Sequence, residues 1–147
     1  MSMPLPPVVK ELLDSPCMAH LATIMPDGSP QSSPVAVITD GDHILVSSAK
    51  HTVKARNMIR DPRVAISMTH SENPWFSLRL RGRVIEIKED IKTEDGPRHL
   101  LDVMTEKYGR ITPPENYADR LRFRIEITSG SGLNSPGPER VPSNETH

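Results

Sequence analysis

Two aspartate–glycine corners in the first third of the chain, Pro26-Asp27-Gly28-Ser29 and Asp40-Gly41-Asp42, constrain the fold more than any other feature. Proline presets φ for a turn, and glycine supplies the positive φ that tight corners demand. Each corner separates strand-like runs: Cys17 to Ile24, Pro30 to Thr39, and His43 to Ser48. Connections this short leave no room for a crossover helix, so the three runs are expected to form an antiparallel meander. Gln31, Ser33, Val35 and Val37 share one face of the second run.

The rest of the chain follows the same logic with short helices inserted. Val8, Val9, Leu12 and Leu13 make an apolar stripe that Pro16 must end, which predicts a helix near the start. Thr52 to Arg60 reads as a second helix, stopped by Asp61-Pro62, and His99 to Tyr108 as a third. Arg63 to Thr69 is a predicted strand, and Trp75 to Lys88 a long one with Gly82 marking a bulge or a close backbone approach. Leu121, Phe123, Ile125 and Ile127 alternate with charged residues, the pattern of a half-buried strand. About six strands with two or three helices favour a closed β-barrel, because closure removes the sticky sheet edges. The expected domain is residues 1–128, and 129–147 reads as a disordered tail of Gly, Ser, Pro, Asn and charge.

Composition excludes several classes of function. A single cysteine, Cys17, forbids an internal disulfide and suits a reducing, cytoplasmic setting. No apolar run approaches the roughly 20 residues of a membrane span. The net charge of -1 and 3% aromatics argue against a nucleic-acid or membrane coat. The six histidines show no metal-ligand spacing, and HExxH, CxxC, the P-loop and GxGxxG are absent, so no metal site and no catalytic constellation is expected.

Charge placement points to a ligand instead. Residues 43–83 carry a net charge of +6, leaving -7 for the remainder. Lys54 falls in the first turn of the second helix, with Lys50 and His51 just before it and Thr52 as the predicted N-cap. Helix starts favour acids, because their free N–H groups form a positive pole. Cations crowded there suit a bound phosphate, which would satisfy the N–H groups and the lysine together. Ser47, Ser48 and Ala49 leading in are small enough for close backbone approach. Arg79, Arg81 and Arg83 share one face of the long strand with Trp75 and Ser77. That stripe reads as a solvent-facing side, a subunit interface or a seat for an anionic tail.

The residues also carry a family resemblance over roughly 8–128. Pro26-Asp27-Gly28-Ser29-Pro30-Gln31-Ser32-Ser33-Pro34-Val35 resembles the "pDGxPqxsPV" hairpin of flavin-binding split barrels related to pyridoxamine 5′-phosphate oxidase. Residues 54–65, Lys-Ala-Arg-Asn-Met-Ile-Arg-Asp-Pro-Arg-Val-Ala, resemble the "KaRNlrrDPRva" signature of its deazaflavin-using branch, the F420-dependent oxidoreductases. Leu80-Arg81-Gly82-Arg83-Val84 is similar to the "vrGrv" element that follows. The resemblance implies a mainly β, FMN-binding-like split barrel of antiparallel Greek-key type, working as a cytoplasmic homodimer with cofactor between the subunits. It implies that Ser32, Ser33, Pro34 and Val35 flank the tricyclic ring, and that Ser47 and Ser48 lie along the ribityl chain. Thr52, Lys54 and Asn57 would hold the phosphate, Trp75 of the partner subunit would lie near the ring, and Arg79 would help bind an acidic cofactor tail. The implied activity is hydride transfer between reduced coenzyme F420 and a small electron-poor organic substrate. An FMN-dependent oxidase or reductase is the alternative, and a cofactor-binding module without turnover a second. Acids such as Asp90, Glu94 and Asp95 are expected to meet the other subunit's arginines.

Overall fold

A computed structural model describes residues 2–91, 99–109 and 117–133. Helix α1 (Pro7–Asp14) leads into β1 (Ala19–Ile24), β2 (Pro30–Val35), β3 (Ile38–Asp40) and β4 (His43–Ala49). Helix α2 (Val53–Arg60) then precedes β5 (Arg63–Thr69) and β6 (Ser77–Glu89), and α3 (Leu100–Tyr108) precedes β7 (Arg120–Ser131). The β1–β2 corner forms as its sequence demands. Gly28 adopts φ 88°, and Asp27 Oδ1 accepts from both the Ser29 amide at 2.9 Å and its hydroxyl at 2.6 Å.

All strand pairs are antiparallel, in the order β2-β1-β5-β6-β7-β4-β3. This corrects the meander. The run Pro30 to Thr39 is two strands, broken at Ala36-Val37, and they lie at opposite ends of the sheet. β2 pairs with β1 and β3 with β4, but β5, β6 and β7 stand between those hairpins. Two intervening residues make three Cα steps and reach only about 11 Å. The two ends of the sheet are therefore adjacent in space, and the sheet must curl into a barrel. The break has a reason: Val35 and Val37 are both buried, so the chain turns a corner while keeping its apolar side inward.

The core fills that barrel. Leu21, Ile44, Val46, Ile66, Leu78, Leu80, Phe123 and Ile125 point inward, and Val9, Leu12 and Leu13 of α1 join them. A smaller cluster of Leu45, Leu100 and Met104 seats α3 on the outside of β4. Gly82 is a close approach as expected: a Cβ there would fall on the Glu126 carbonyl oxygen, and the ladder shifts register beside it. β7 pairs with β6 through Ser131, so the barrel takes in the first residues of the expected tail. Residues 134–147 lie outside the described residues, as do Glu94 and Asp95.

Candidate functional site

The predicted site residues fall into two groups and three exceptions. The first group surrounds the start of α2. Ser48 is buried at the end of β4, its hydroxyl 2.6 Å from that of Thr52. Thr52 is the N-cap: its Oγ1 accepts the Ala55 amide at 3.2 Å and donates to the Ala49 carbonyl at 3.1 Å. Its hydroxyl is therefore committed to the helix end. Helix geometry leaves the Val53 and Lys54 amides without intrahelical acceptors.

Lys54 lies half-buried in that first turn, which contains no acid. Burial pushes its ammonium below the usual lysine value, and the nearby positive charge of Arg120 pushes it the same way. Arg120 opens β7 opposite Ala49 and is itself half-buried, its guanidinium pushed down by burial. Two partly desolvated cations beside each other are unfavourable without an anion. Sequence reasoning missed Arg120, because nothing local marks it; only the β4–β7 register brings it to α2.

Ser47 does not share the Ser48 side of β4, since neighbouring strand residues alternate faces. Its hydroxyl donates to Asp90 at 2.9 Å and accepts from Arg120 Nε at 3.0 Å. Asp90, just past β6, is 1% exposed, and this corrects its expected role at a subunit contact. Its carboxylate pairs with Arg122 at 2.9 Å and accepts the Leu100 amide at 3.0 Å. An acid this buried must be paired within its own fold.

The second group lies on the outer sheet face. Ser32 and Arg79 line one groove of about 440 Å³ with His20, Ala22, Ser67 and Ser131. Part of its floor is small side chains, because Ala22 of β1 stands opposite Ser32 of β2 and Ala65 of β5, with Ser67 opposite His20. Arg79 donates to Ser131 at 3.0 Å and Ser77 at 2.9 Å. Pro34 is exposed on the same face, while Ser33 accepts from Gln31 Nε2 at 2.8 Å.

Three expectations meet different surroundings. Val35 is core, 5% exposed, so only its backbone can meet a ligand. Asn57 is 2% exposed and faces β1: its amide donates to Thr23 at 3.0 Å and to the Met25 sulfur, and its carbonyl accepts from Arg60 at 2.8 Å. Those groups are spent holding α2 on the barrel. Trp75 is 50% exposed in the loop before β6 and does not line that groove.

The basic segment is likewise divided. Lys50 pairs with Glu89 at 3.1 Å and Arg63 with Asp61 at 2.8 Å, whereas Arg79, Arg81 and Arg83 lie on the outside of β6. Among the described residues no three His, Cys, Asp or Glu side chains are grouped to hold a metal, and no helix is long and apolar enough to cross a membrane.

Comparison with known proteins agrees with the fold. The pyridoxamine 5′-phosphate oxidase family matches residues 5–131. A solved structure of an F420 reductase superposes with a TM-score of 0.77 at 29% identity, covering 87% of this chain and 99% of that one. A conserved hypothetical protein of Mycobacterium tuberculosis gives 0.64 at 19% identity, covering 99% and 96%. HupZ of Group A Streptococcus gives 0.62 at 17% identity, covering 89% and 98%. The last two show the fold alone, and no curated protein matches the chain. The chain is a split β-barrel of flavin-type oxidoreductase or binding-protein character and belongs to the pyridoxamine 5′-phosphate oxidase family.

Proposed function

We propose that the protein is a cytoplasmic F420-dependent oxidoreductase, acting on a small electron-poor organic substrate. The observation that carries this is Lys54: a half-buried cation at a helix start, with no acid in its turn and a second cation beside it. Such a position fits a phosphate group. The 29% identity to an F420 reductase over nearly the whole of that chain supports a deazaflavin. When bound, the cofactor supplies the hydride.

The chain's own residues need only bind, orient and keep water away. Lys54 and the first-turn amides hold the phosphate, Ser32 and Pro34 offer a small-residue wall for a flat ring, and Arg79 offers charge for an acidic tail. A second copy would complete the site. Trp75 is half-exposed, and Ile59, Ile85 and Ile87 line a surface groove of about 380 Å³, apolar area that a partner subunit would cover. Light scattering is expected to give twice the 16.4 kDa chain mass, and a stable monomer with full cofactor affinity would overturn the shared site.

FMN is the second reading. Its phosphate monoester carries about −1.5 to −2 charge near pH 7, as other phosphate monoesters do, and a pair of cations suits it. Titration of the protein with F420 and with FMN, followed by fluorescence, separates the two. Tighter F420 binding, then oxidation of reduced F420 by an electron-poor acceptor, is expected. Equal or tighter FMN binding would overturn the deazaflavin assignment.

A further inference from the structure

We infer that Arg120 is a second anion-binding residue of the α2 site, and that Asp90, acting through Ser47, is the positioning group that aims it. The inference rests on the phosphate reading of Lys54 and adds to it the start of β7 and Asp90, just past β6.

Arg120 is tethered at one edge of its guanidinium. Its Nε donates to Ser47 Oγ at 3.0 Å, and the same hydroxyl donates onward to Asp90 Oδ2 at 2.9 Å. That chain fixes the inner edge of the guanidinium. The outer edge, with its two terminal nitrogens, forms no hydrogen bond to another described residue. The outer edge is the fork that binds two oxygens of one phosphate side by side.

Asp90 cannot simply neutralise the arginine. Its Oδ1 already takes Arg122 at 2.9 Å and the Leu100 amide at 3.0 Å. His99 does not change this balance. Its Nδ1 lies 3.4 Å from Asp90, but that nitrogen accepts the Leu101 amide at 3.1 Å, and Nε2 faces the Tyr117 carbonyl at 3.3 Å. With Nδ1 taken by the Leu101 amide, the ring adds no hydrogen bond to Asp90. Asp90 is shared among partners, and Arg120 keeps charge to offer.

That charge lies near Lys54, whose ammonium is pushed down by burial and then by Arg120. Ala49 stands directly opposite Arg120 across β4 and β7, three residues before the helix cap Thr52. Interior polar atoms elsewhere are satisfied: among the described residues no buried side-chain nitrogen or oxygen lacks a partner. The free ends of Lys54 and Arg120 are therefore not sealed in the interior, and an anion can reach them from solvent.

The test uses the full chain and three probes: F420, FMN and inorganic phosphate. Arg120→Gln is expected to weaken both cofactors about 10- to 100-fold, the range for a lost charged hydrogen bond. It should also flatten the salt dependence of binding and abolish the rise in melting temperature that inorganic phosphate gives the parent protein. Arg120→Lys keeps the charge but not the fork, so it should retain the salt dependence while recovering affinity only in part. Ser47→Ala should weaken binding several-fold, and Ser47→Thr, which keeps the hydroxyl, should restore it. A structural role alone would not give that rescue. If Lys54→Ala weakens binding and neither Arg120 variant does, the inference fails and the phosphate reading stands. If Lys54→Ala also binds as the parent does, the reading itself fails. Weakening by Arg120→Gln without any effect of Ser47→Ala would overturn the positioning role of Asp90.

Discussion

Lys54 and Lys107 are both half-buried lysines whose ammonium groups burial has pushed down, yet they sit in opposite kinds of surroundings. Lys107, near the end of α3, donates to the Leu13 carbonyl at 2.6 Å and to that of Val37. It ties α3 to the end of α1 and to the corner between β2 and β3, and Asp14 and Cys17 act to keep it charged. Lys54 has no such carbonyls and no acid; the charge that acts on it, Arg120, has its own sign. The same residue type, at similar depth, is a structural clamp in one place and an unfinished contact in the other. What separates them is the partner set, which is visible only in three dimensions.

Replacing each lysine should therefore do opposite things, and this is the largest expected effect. Lys107→Met leaves two carbonyls without their donor and should cost about 1–3 kcal/mol of stability, with cofactor affinity in the folded protein unchanged. Lys54→Ala should weaken cofactor binding by roughly 1.5–3 kcal/mol. Its cofactor-free melting temperature should hold or rise, since a cation leaves the positive end of a helix. Chemical denaturation and cofactor titration of both variants check the pair. A destabilised Lys54→Ala with unchanged affinity would erase the distinction.

Next in size is the pH dependence of the cofactor-free protein. Burial pushes Lys107 down to about 8 in the folded chain from its ordinary 10.5, so the unfolded state binds more protons between those values. Stability rises with pH wherever that holds. The penalty of burying the charge is present in full below pH 8 and is relieved as pH climbs above it. Lys54 and Cys17, both lowered, contribute with the same sign, whereas Tyr108, raised by burial, opposes them above its usual value. Melting temperature should climb from pH 7 to about 9.5, and Lys107→Met should flatten most of that climb. Saturating cofactor should remove only the Lys54 share, because an anion restores its charge. A Lys107→Met slope equal to the parent's would show that this lysine is not the clamp described.

How much of this was legible in the chain divides along the same line. Local chemistry was readable: Asp27-Gly28 closes its hairpin, Gly82 meets Glu126, Thr52 caps α2, and the alternation from Leu121 to Ile127 sits on the barrel wall. The strand count and the family resemblance both gave the closed barrel. Strand order and register were not readable. Pro30 to Thr39 looks continuous, because nothing in its alternation announces that Ala36-Val37 turns to the other sheet edge. Ser47 and Ser48 look alike in sequence, yet one meets Asp90 and the other Thr52. Asn57 carries a family motif position, but its amide is held by β1. Asp90 looks like any strand-end acid until Arg122 and α3 cover it.

The smallest expected effect concerns cations that are not buried at all. Arg79 and Arg81 stand exposed on the groove face of β6, and Arg79 is anchored only by two serine hydroxyls. Water screens such charges, so each ion pair they form with an acidic tail is worth ~0.2–1 kcal/mol. Screening length falls to about 8 Å at physiological salt, which weakens them further. The double variant Arg79→Gln, Arg81→Gln should lower F420 affinity a few-fold, leave FMN affinity as it was, and shift stability by no more than about 0.5 kcal/mol. Raising salt should erase the difference between parent and variant, while the Lys54→Ala deficit persists, because a half-buried contact is screened much less. Titrations with both cofactors at low and high salt separate the two kinds of cation. Equal loss of FMN and F420 in the double variant would mean that these arginines shape the groove itself and do not meet the acidic tail.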